Sequence, residues 1–188
     1  MKIEIIAGSP RHNSVTRRVA LFLGRHFSEK YGIETGIIDL WENPFPPVQK
    51  TFSSASEAPL ELQGVAERIL KADAYIVVTP EYNGSYSPAM QNMFDHFPKR
   101  HHKTFGLVTA SPGGLGGIRA AMQLQQFVMA LFGIPSPYML VTPQVDKKFD
   151  AEGNLLDPTF MKNVEIFINE FLWLAERVAE NAPVAERS

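Results

Sequence analysis

Residues 3–14 read Ile-Glu-Ile-Ile-Ala-Gly-Ser-Pro-Arg-His-Asn-Ser, and this stretch decides the fold. Its first five residues form a short, mostly apolar and β-branched run, which predicts a buried strand. The Gly-Ser-Pro that follows predicts a turn ending that strand. Apolar side chains then recur at helical spacing from Ser14 to about Tyr31, with Asn13 or Ser14 available as the N-cap. The chain therefore begins with a strand, a loop and a helix.

The same alternation of strand and helix continues along the chain. The predicted strands are 3–7, 34–40, 74–79, 104–110 and 138–141, and the predicted helices are 14–31, 60–72, 88–97, 117–132 and 160–178. Short apolar strands that alternate with amphipathic helices are typical of a parallel sheet covered on both faces. We expect one α/β domain over residues 1–180 with a five-stranded parallel sheet, for which 2-1-3-4-5 is one doubly wound strand order, and a frayed tail at 181–188.

This strand order also predicts where a ligand binds. In the order 2-1-3-4-5 the chain reverses direction between the first and third strands. Ligands of open parallel sheets bind outside the carboxyl ends of the strands at such a switch point. Two unusual loops, 8–14 and 79–88, follow those two strands. We therefore expect the site between these loops.

The loop at 8–14 suits a phosphate monoester. It opens a helix, and the free N–H groups of a helix N-terminus attract anions. Arg11 and the hydroxyls of Ser9 and Ser14 could add hydrogen bonds worth about 1.5–3 kcal/mol each to a charged group. The loop lacks both the Gly-Lys-Ser/Thr ending of a triphosphate loop and the three-glycine dinucleotide fingerprint. The alternative is a Ser or Asn helix cap beside a solvated arginine.

Two further loops favour a flat ligand. Residues 79–88 read Thr-Pro-Glu-Tyr-Asn-Gly-Ser-Tyr-Ser-Pro, which offers donors, acceptors and aromatic rings to the edge of a heterocycle. Residues 111–119 read Ser-Pro-Gly-Gly-Leu-Gly-Gly-Ile-Arg, where glycines allow backbone to approach a ligand closely. The alternatives are a turn packed by its own tyrosines and a purely structural glycine turn. We interpret Glu81 as a structural hydrogen-bonding residue rather than a general base.

Composition excludes several classes of function. The chain is 45% apolar and 20% charged, has a formal net charge of −2, and contains no cysteine. We therefore expect no nucleic-acid partner, no membrane insertion and a cytoplasmic location. Redox chemistry would need an organic cofactor or a non-thiolate metal. The adjacent His101 and His102 diverge in most conformations and lack a flanking carboxylate cluster, so we expect no metal site.

Two other segments leave alternatives open. Residues 99–103 are basic, which usually indicates a solvated surface turn, although the segment could receive the ribose phosphate of NADPH. The proline-rich loop at 41–59 is longer than an ordinary connection. It could shield a ligand, cross to a second subunit, or be mobile filler.

Taken in series, the three loops resemble the NADPH-dependent FMN reductase family, which includes quinone and chromate reductases. The matching segments are 8–14, 80–85 and 113–120, in the family's order and spacing. The resemblance implies a flavodoxin-like three-layer sandwich that binds FMN. It assigns Ser9, Arg11 and Ser14 to the FMN phosphate, and we add Thr16, which stands where the family has an Asn. It assigns Pro80, Glu81, Tyr82, Asn83 and Gly84 to the surroundings of the isoalloxazine ring, and Ser111, Gly113 and Gly114 to its pyrimidine side.

One motif departs from the family pattern. The usual Leu-Lys-Asn…Asp-Trp after the second loop reads Met90-Gln91-Asn92…Asp95-His96 here. The missing Lys and Trp concern the nicotinamide-side contacts and the subunit interface more than the binding of FMN.

The resemblance implies a FMN-dependent NAD(P)H oxidoreductase. Hydride would pass from NADPH or NADH through FMN to a small-molecule acceptor, namely a quinone, free flavin, azo compound or metal oxyanion, by a ping-pong mechanism. Because the flavin performs the chemistry, no protein residue is expected to act as a catalytic acid or base. The family also suggests a homodimer or homotetramer. The alternative function is a flavodoxin-type FMN electron carrier without substrate turnover of its own.

Overall fold

The core of the structure is a parallel sheet with helices on both faces. A computed structural model describes residues 1–180, and the expected tail at 181–188 lies outside the described residues. The strands are β1 Ile3–Ala7, β2 Thr35–Asp39, β3 Ala74–Thr79, β4 Thr104–Ser111, β5 Ile134–Pro135 and β6 Leu140–Pro143. The helices are α1 Val15–Tyr31, α2 Gln63–Lys71, α3 Pro88–Asp95, α4 Ile118–Ala130, α5 Val145–Lys148 and α6 Met161–Glu180.

The strand order places the switch point where the sequence predicts it. The strands lie in the order β2-β1-β3-β4-β5, and β6 also pairs with β4. All of these pairings are parallel. The predicted order 2-1-3-4-5 and the three-layer architecture are therefore confirmed. The carboxyl ends of β1 and β3 meet at one edge of the sheet, with their following loops side by side.

Each face of the sheet has its own apolar core. Ile3 and Ile5 of β1 belong to the core formed with α1 and α6, whereas Ile6 belongs to the core formed with α2, α3 and α4. The one charged residue of β1, Glu4, is held by the Arg68 guanidinium of α2, with Nε 3.1 Å from Oε1. Burial on both faces explains why these strands are apolar almost throughout rather than alternating.

The predicted fifth strand is divided into two short pieces. β5 pairs with Thr104 and Phe105, and β6 pairs with Val108 onward, so four residues at 136–139 lie opposite two residues of β4. The chain must loop out of the ladder at this point. Pro135 and Pro137 lack the N–H that a continuous ladder would need. The sequence predicted the strand that corresponds to β6 and did not predict β5.

A cluster around Glu165 joins α1 to α6 on one face of the sheet. Its carboxylate lies 2.8 Å from His26 Nε2, 2.7 Å from the Tyr31 hydroxyl and 2.6 Å from Lys30 Nζ. Burial raises the pKa of Glu165, but the hydrogen bonds from Lys30, Tyr31 and His26 outweigh it and lower the pKa to about 2. Burial and the hydrogen bond to Glu165 raise the pKa of Tyr31 to about 12.

Glu165→Gln should change how the free energy of unfolding depends on pH. The pKa of Glu165 in the folded protein lies below its ordinary value of 4.5, so the ionised carboxylate stabilises the fold above that pH. The contribution, about 1–3 kcal/mol after allowing for solvent screening, is lost as the pH falls from 4.5 toward 2. We expect Glu165→Gln to lower the urea midpoint at pH 7 and to approach the wild type near pH 2.5. Glu170→Gln, an exposed position on the same helix, is the matched control. A midpoint difference that does not vary with pH would contradict this account.

Candidate functional site

A cavity of about 720 Å³ opens at the carboxyl ends of β1, β3 and β4. This volume lies in the ordinary range for small-molecule sites. Its walls come from the three loops that the sequence singled out. The predicted residues lining it are Ser9, Arg11, Ser14, Thr16, Pro80, Glu81, Tyr82, Asn83 and Ser111. Gly84, Gly113 and Gly114 are not part of the lining.

The loop at 8–14 is built around hydroxyl groups at the N-terminus of α1. Gly8 N–H donates to the Val78 carbonyl of β3 at 2.8 Å, which fixes the start of the loop on the sheet. Ser9 is 1% exposed, and its hydroxyl accepts the Arg11 N–H at 3.2 Å. Ser14 is the N-cap of α1, accepting the Arg17 N–H at 3.3 Å. The helix-cap alternative is therefore part of the structure, and it leaves the loop open to an anion as well.

The hydroxyls of Ser14 and Thr16 form one unit beside the cavity. Their oxygens lie 2.8 Å apart, so one of the two protons is used between them. A pair of hydroxyls brings two protons, and the second can be donated to a bound oxyanion. The N-terminus of α1 carries no acidic residue in its first turn. The local field therefore favours negative charge.

Arg11 is the arginine of the cavity lining, and the imidazole of the next residue, His12, also lines the cavity. The nearby Arg17 is engaged elsewhere, with Nε 3.0 Å from the Asp39 carboxylate and a second nitrogen 3.5 Å from Glu42. Burial raises the pKa of Asp39, although the Trp41 N–H and Arg17 both hydrogen-bond its carboxylate. Because Arg17 is held in this way, an anion in the cleft would meet Arg11 and His12.

The loop at 79–88 is held rigidly by a two-residue hairpin. Tyr82 and Ser85 exchange backbone hydrogen bonds of 2.9 and 3.1 Å across Asn83 and Gly84. Both central residues have positive φ, 53° and 81°, as the Asn-Gly turn of a tight hairpin requires. The Thr79 hydroxyl accepts the Ser87 N–H at 2.9 Å and closes the base of the loop. The turn sends Asn83 to the cavity wall and leaves Gly84 behind it.

Tyr82 reaches across the cleft to the first loop. Its hydroxyl lies 3.2 Å from Ser9 Oγ, and the Arg11 guanidinium carbon lies 4.5 Å from the centre of its ring. The Tyr82 hydroxyl therefore lies among the groups of the loop at 8–14. Glu81 makes a long ion pair with Arg119, with Nε 3.8 Å from Oε1.

The glycines at 113–117 divide into two kinds. Gly113 N–H donates to Ser111 Oγ at 3.1 Å, and a Cβ added at Gly114 would meet nothing within 4 Å. Gly116 and Gly117 instead have positive φ, 63° and 84°. A Cβ at Gly116 would lie 2.6 Å from Val141 Cγ1, so this glycine is required by packing against β6. Gly116 of the third loop is therefore needed for packing against β6, whereas Gly114 has no such constraint.

Several lining residues were not predicted. They are His12, Asn13, Val15, Pro88, Ala110 and Pro112. All six lie within or next to the predicted loops, so loop membership was the available signal. His12 also packs edge-on against Trp41, with ring centres 5.2 Å apart.

The two other segments that the sequence singled out contribute no residue to the cavity lining. The basic segment 99–103 precedes β4, and the cavity lies beyond the opposite end of that eight-residue strand, roughly 26 Å away. Arg100 is 7% exposed and donates to the carbonyls of Pro98 and Ile69. This segment therefore lies at the opposite end of β4 from the cleft. The loop at 41–59 contributes no residue to the cavity lining.

Among residues 1–180 no group of three or more His, Asp or Glu side chains is arranged to hold a metal ion. In the same range no helix combines the length and apolar character needed to cross a membrane.

Comparison with known proteins bears on the fold and the family. Residues 1–145 match the family described as NADPH-dependent FMN reductase. The chain is 32% identical over 178 residues to the FMN-dependent NADPH-azoreductase of Staphylococcus aureus strain USA300, covering 92% of this chain and 94% of that protein.

Solved structures show the same architecture. The chain is similar to FerB, a flavoenzyme NAD(P)H:(acceptor) oxidoreductase from Paracoccus denitrificans, with a TM-score of 0.76, 21% identity, and coverage of 94% and 97% of the two chains. It is also similar to a flavodoxin from the domain Archaea, with a TM-score of 0.57, 14% identity, and coverage of 95% and 99%. At these identities the two structures confirm the flavodoxin-like fold and nothing finer.

Proposed function

Because the chain belongs to the NADPH-dependent FMN reductase family, we propose that it holds FMN in this cleft and passes hydride from NAD(P)H to a small-molecule acceptor. The observation that carries the proposal is the meeting of three loops at the switch point, which brings the hydroxyls and the arginine of residues 8–14 beside the rigid polar hairpin at 82–85. Quinones, free flavin, azo compounds and metal oxyanions are the proposed acceptors.

The residues present fit a flavin phosphate. Ser9, Ser14 and Thr16 supply hydroxyl groups at the N-terminus of α1, Arg11 supplies positive charge, and His12 supplies an imidazole. A phosphate dianion accepts several charge-assisted hydrogen bonds at once, and this set of donors matches that need. The cleft is therefore chemically suited to the phosphate of FMN at the end formed by residues 8–14.

The rest of the cleft fits a flat ring. Pro80, Glu81, Tyr82, Asn83 and Gly84 would surround it, and Ser111, Gly113 and Gly114 would follow its pyrimidine side. The rigid hairpin can hold donors and acceptors at fixed positions, which is how proteins tune a flavin. When bound, FMN supplies the hydride chemistry, so the chain's own residues bind and orient and none is assigned as an acid or base.

The rival function is an FMN electron carrier without its own substrates. The archaeal flavodoxin shares the fold, so the fold does not decide between the two. A net charge of −2 is modest for a small carrier that docks onto basic partners, and this favours the reductase.

One experiment separates the reductase from the carrier. The purified yellow protein is mixed anaerobically with NADPH, and in parallel with NADH, while flavin absorbance is followed. We expect rapid bleaching and then reoxidation by a quinone. Persistent colour with both nucleotides would reject the reductase and favour the carrier. For the reductase, nucleotide and acceptor would use the same open side of the cleft in turn. Double-reciprocal plots should then be parallel, and intersecting lines would count against a ping-pong mechanism.

Tyr82→Phe should weaken the binding of FMN more than the binding of riboflavin. The Tyr82 hydroxyl lies 3.2 Å from Ser9 Oγ, and we infer that it joins the phosphate donors. Losing one hydrogen bond to a charged group costs about 1.5–3 kcal/mol, or roughly 10- to 150-fold in affinity. Riboflavin lacks the phosphate and should bind the variant as it binds the wild type. Fluorescence titration measures both, and Tyr86→Phe is the matched control. An equal loss for FMN and riboflavin would place the hydroxyl at the ring instead.

We also propose that the chain forms a homodimer or homotetramer. Ile118, Met122 and Met129 lie along one side of α4 and are 36%, 50% and 60% exposed, and Phe132 follows at 58%. Exposed apolar side chains grouped in this way often mark an interface. Light scattering on the FMN-loaded protein gives the mass, and a mass of 21.0 kDa would reject the proposal.

A further inference from the structure

A second cavity lies beneath the loop at 41–59, apart from the flavin cleft. Its volume is about 360 Å³, and it shares no lining residue with the larger cavity. Apolar groups dominate its walls, among them Pro46, Pro47, Pro59 and the buried Phe52. We refer to it as the proline cavity.

The roof of the proline cavity is fixed by a single side chain of α3. The Asn92 amide donates to the carbonyls of Phe45 and Pro46 at 3.1 and 2.8 Å, and its oxygen accepts the Val48 N–H at 3.1 Å. Further along, the Phe52 N–H donates to the His96 carbonyl at 2.6 Å. These four bonds hold the loop against α3. The cavity is therefore a defined space between a helix and a fixed loop.

His96 is the polar group of the proline cavity that is withdrawn from bulk water. It is 2% exposed, lines the cavity, and packs between the rings of Phe45 and Phe52 at 5.3 and 5.0 Å. Its Nδ1 lies 2.7 Å from the Asn92 carbonyl oxygen. A carbonyl only accepts, so Nδ1 carries the proton of the neutral ring, and Nε2 is left as an acceptor.

Nε2 of His96 remains available to a ligand. Within residues 1–180 it has no hydrogen-bond partner. The fully buried side-chain oxygen and nitrogen atoms of that range that lack a hydrogen-bond partner are the hydroxyls of Thr35, Thr104, Ser136 and Thr142. His96 Nε2 is not one of them, so part of this atom is accessible. Because the rest of His96 is enclosed and the residue lines the cavity, the cavity is the route by which a ligand would reach Nε2.

The chemistry of the walls defines the ligand class. Engineered apolar cavities of about 150 Å³ bind benzene, so this space suits one ring or two fused rings. Proline and phenylalanine present apolar faces to such a ring, and Nε2 accepts one hydrogen bond from it. Lys50, with Nζ 5.9 Å from the Phe52 ring centre, and Glu57 both line the cavity, so their opposite charges favour an uncharged ring. We propose that the proline cavity binds a small phenolic molecule whose hydroxyl donates to His96 Nε2.

The test uses two fluorinated probes that differ only in the hydroxyl. Binding of 4-fluorophenol and fluorobenzene to the FMN-loaded protein is followed by ¹⁹F NMR. We expect 4-fluorophenol to bind with a Kd of about 1 mM or below, which is within reach of a ligand this small. Fluorobenzene should bind about three- to tenfold more weakly, because it lacks the hydrogen bond. No binding of 4-fluorophenol below 10 mM, or equal affinity for the two probes, would overturn the proposal.

Three variants locate the probe. His96→Phe keeps a ring and removes the acceptor, so only 4-fluorophenol should weaken, by about three- to tenfold. His96→Trp introduces the larger ring and should abolish binding of both probes. Asp95→Asn, an exposed neighbour on α3, should bind as the wild type does. Melting temperatures report whether each variant is folded. Unchanged binding in folded His96→Trp would place the probe elsewhere, and displacement by added FMN would place it in the flavin cleft. Either result overturns the proposal without bearing on the reductase activity.

Discussion

Replacing Arg11 by Glu is expected to give a folded, colourless protein. Arg11 is exposed and packs on Tyr82 rather than in either apolar core, so the fold should tolerate the change. FMN binding, by contrast, should be strongly weakened by the change. A charge-assisted hydrogen bond worth about 1.5–3 kcal/mol is lost, and a carboxylate then faces the phosphate. Together these effects predict that FMN affinity falls by about 100- to 1,000-fold.

Controls distinguish a loss of phosphate binding from a general defect. Riboflavin affinity should be the same in Arg11→Glu and wild type, because riboflavin has no phosphate. Lys162→Glu makes the same charge reversal at an exposed position on α6 and should retain full FMN occupancy. Full occupancy in Arg11→Glu, measured from flavin absorbance per protein, would refute the assignment of this loop to the phosphate.

Gly116→Ala is expected to lower the free energy of unfolding by several kcal/mol. A Cβ there would lie 2.6 Å from Val141 Cγ1 and 2.7 Å from the Pro143 backbone nitrogen, which cannot rotate away. The φ of 63° adds strain for any residue with a Cβ. Strain of about 1–2 kcal/mol and overpacking of about 1–3 kcal/mol predict a total loss of about 2–5 kcal/mol.

Gly114→Ala is the matched control for Gly116→Ala. A Cβ at Gly114 meets nothing within 4 Å, so its free energy of unfolding should change by no more than about 1 kcal/mol. Urea unfolding of both variants measures the difference. FMN affinity should also fall in Gly116→Ala, because Ser111 and Pro112 of the same loop line the cleft. Equal stability of the two variants would show that the loop at 113–117 can move away from β6.

The elements of the fold could be predicted because burial on both faces of the sheet leaves a direct mark on the sequence. The strand at 74–79 is apolar up to its last residue, Thr79, and all six of its residues are buried. The loop at 8–14 could also be predicted as a candidate phosphate site, because its hydroxyls and arginine follow a strand and open a helix. Asn83-Gly84 is a local turn signal, and the structure forms the corresponding hairpin.

Other features depended on contacts between distant parts of the chain. Tyr82 was placed beside a ring from its motif, but its hydroxyl meets Ser9, which is 73 residues away. Gly116 is required because β6 packs closely against it. The position of β6 follows the interruption at 136–139, and the glycine motif itself does not indicate this contact.

Sequence alone determined the positions of the main strands and helices, the end of the sheet that carries the site, and the three loops that form it. Each of these follows from local hydrophobic patterning and from the chain reversal that parallel sheets impose. Tertiary structure alone decided which groups share a wall. It brought Tyr82 to the first loop, removed Gly113 and Gly114 from the cavity lining, and enclosed His96 under a loop 40 residues earlier in the chain. Side-chain partners across the fold depend on how the layers pack, and short-range sequence patterns do not encode that packing.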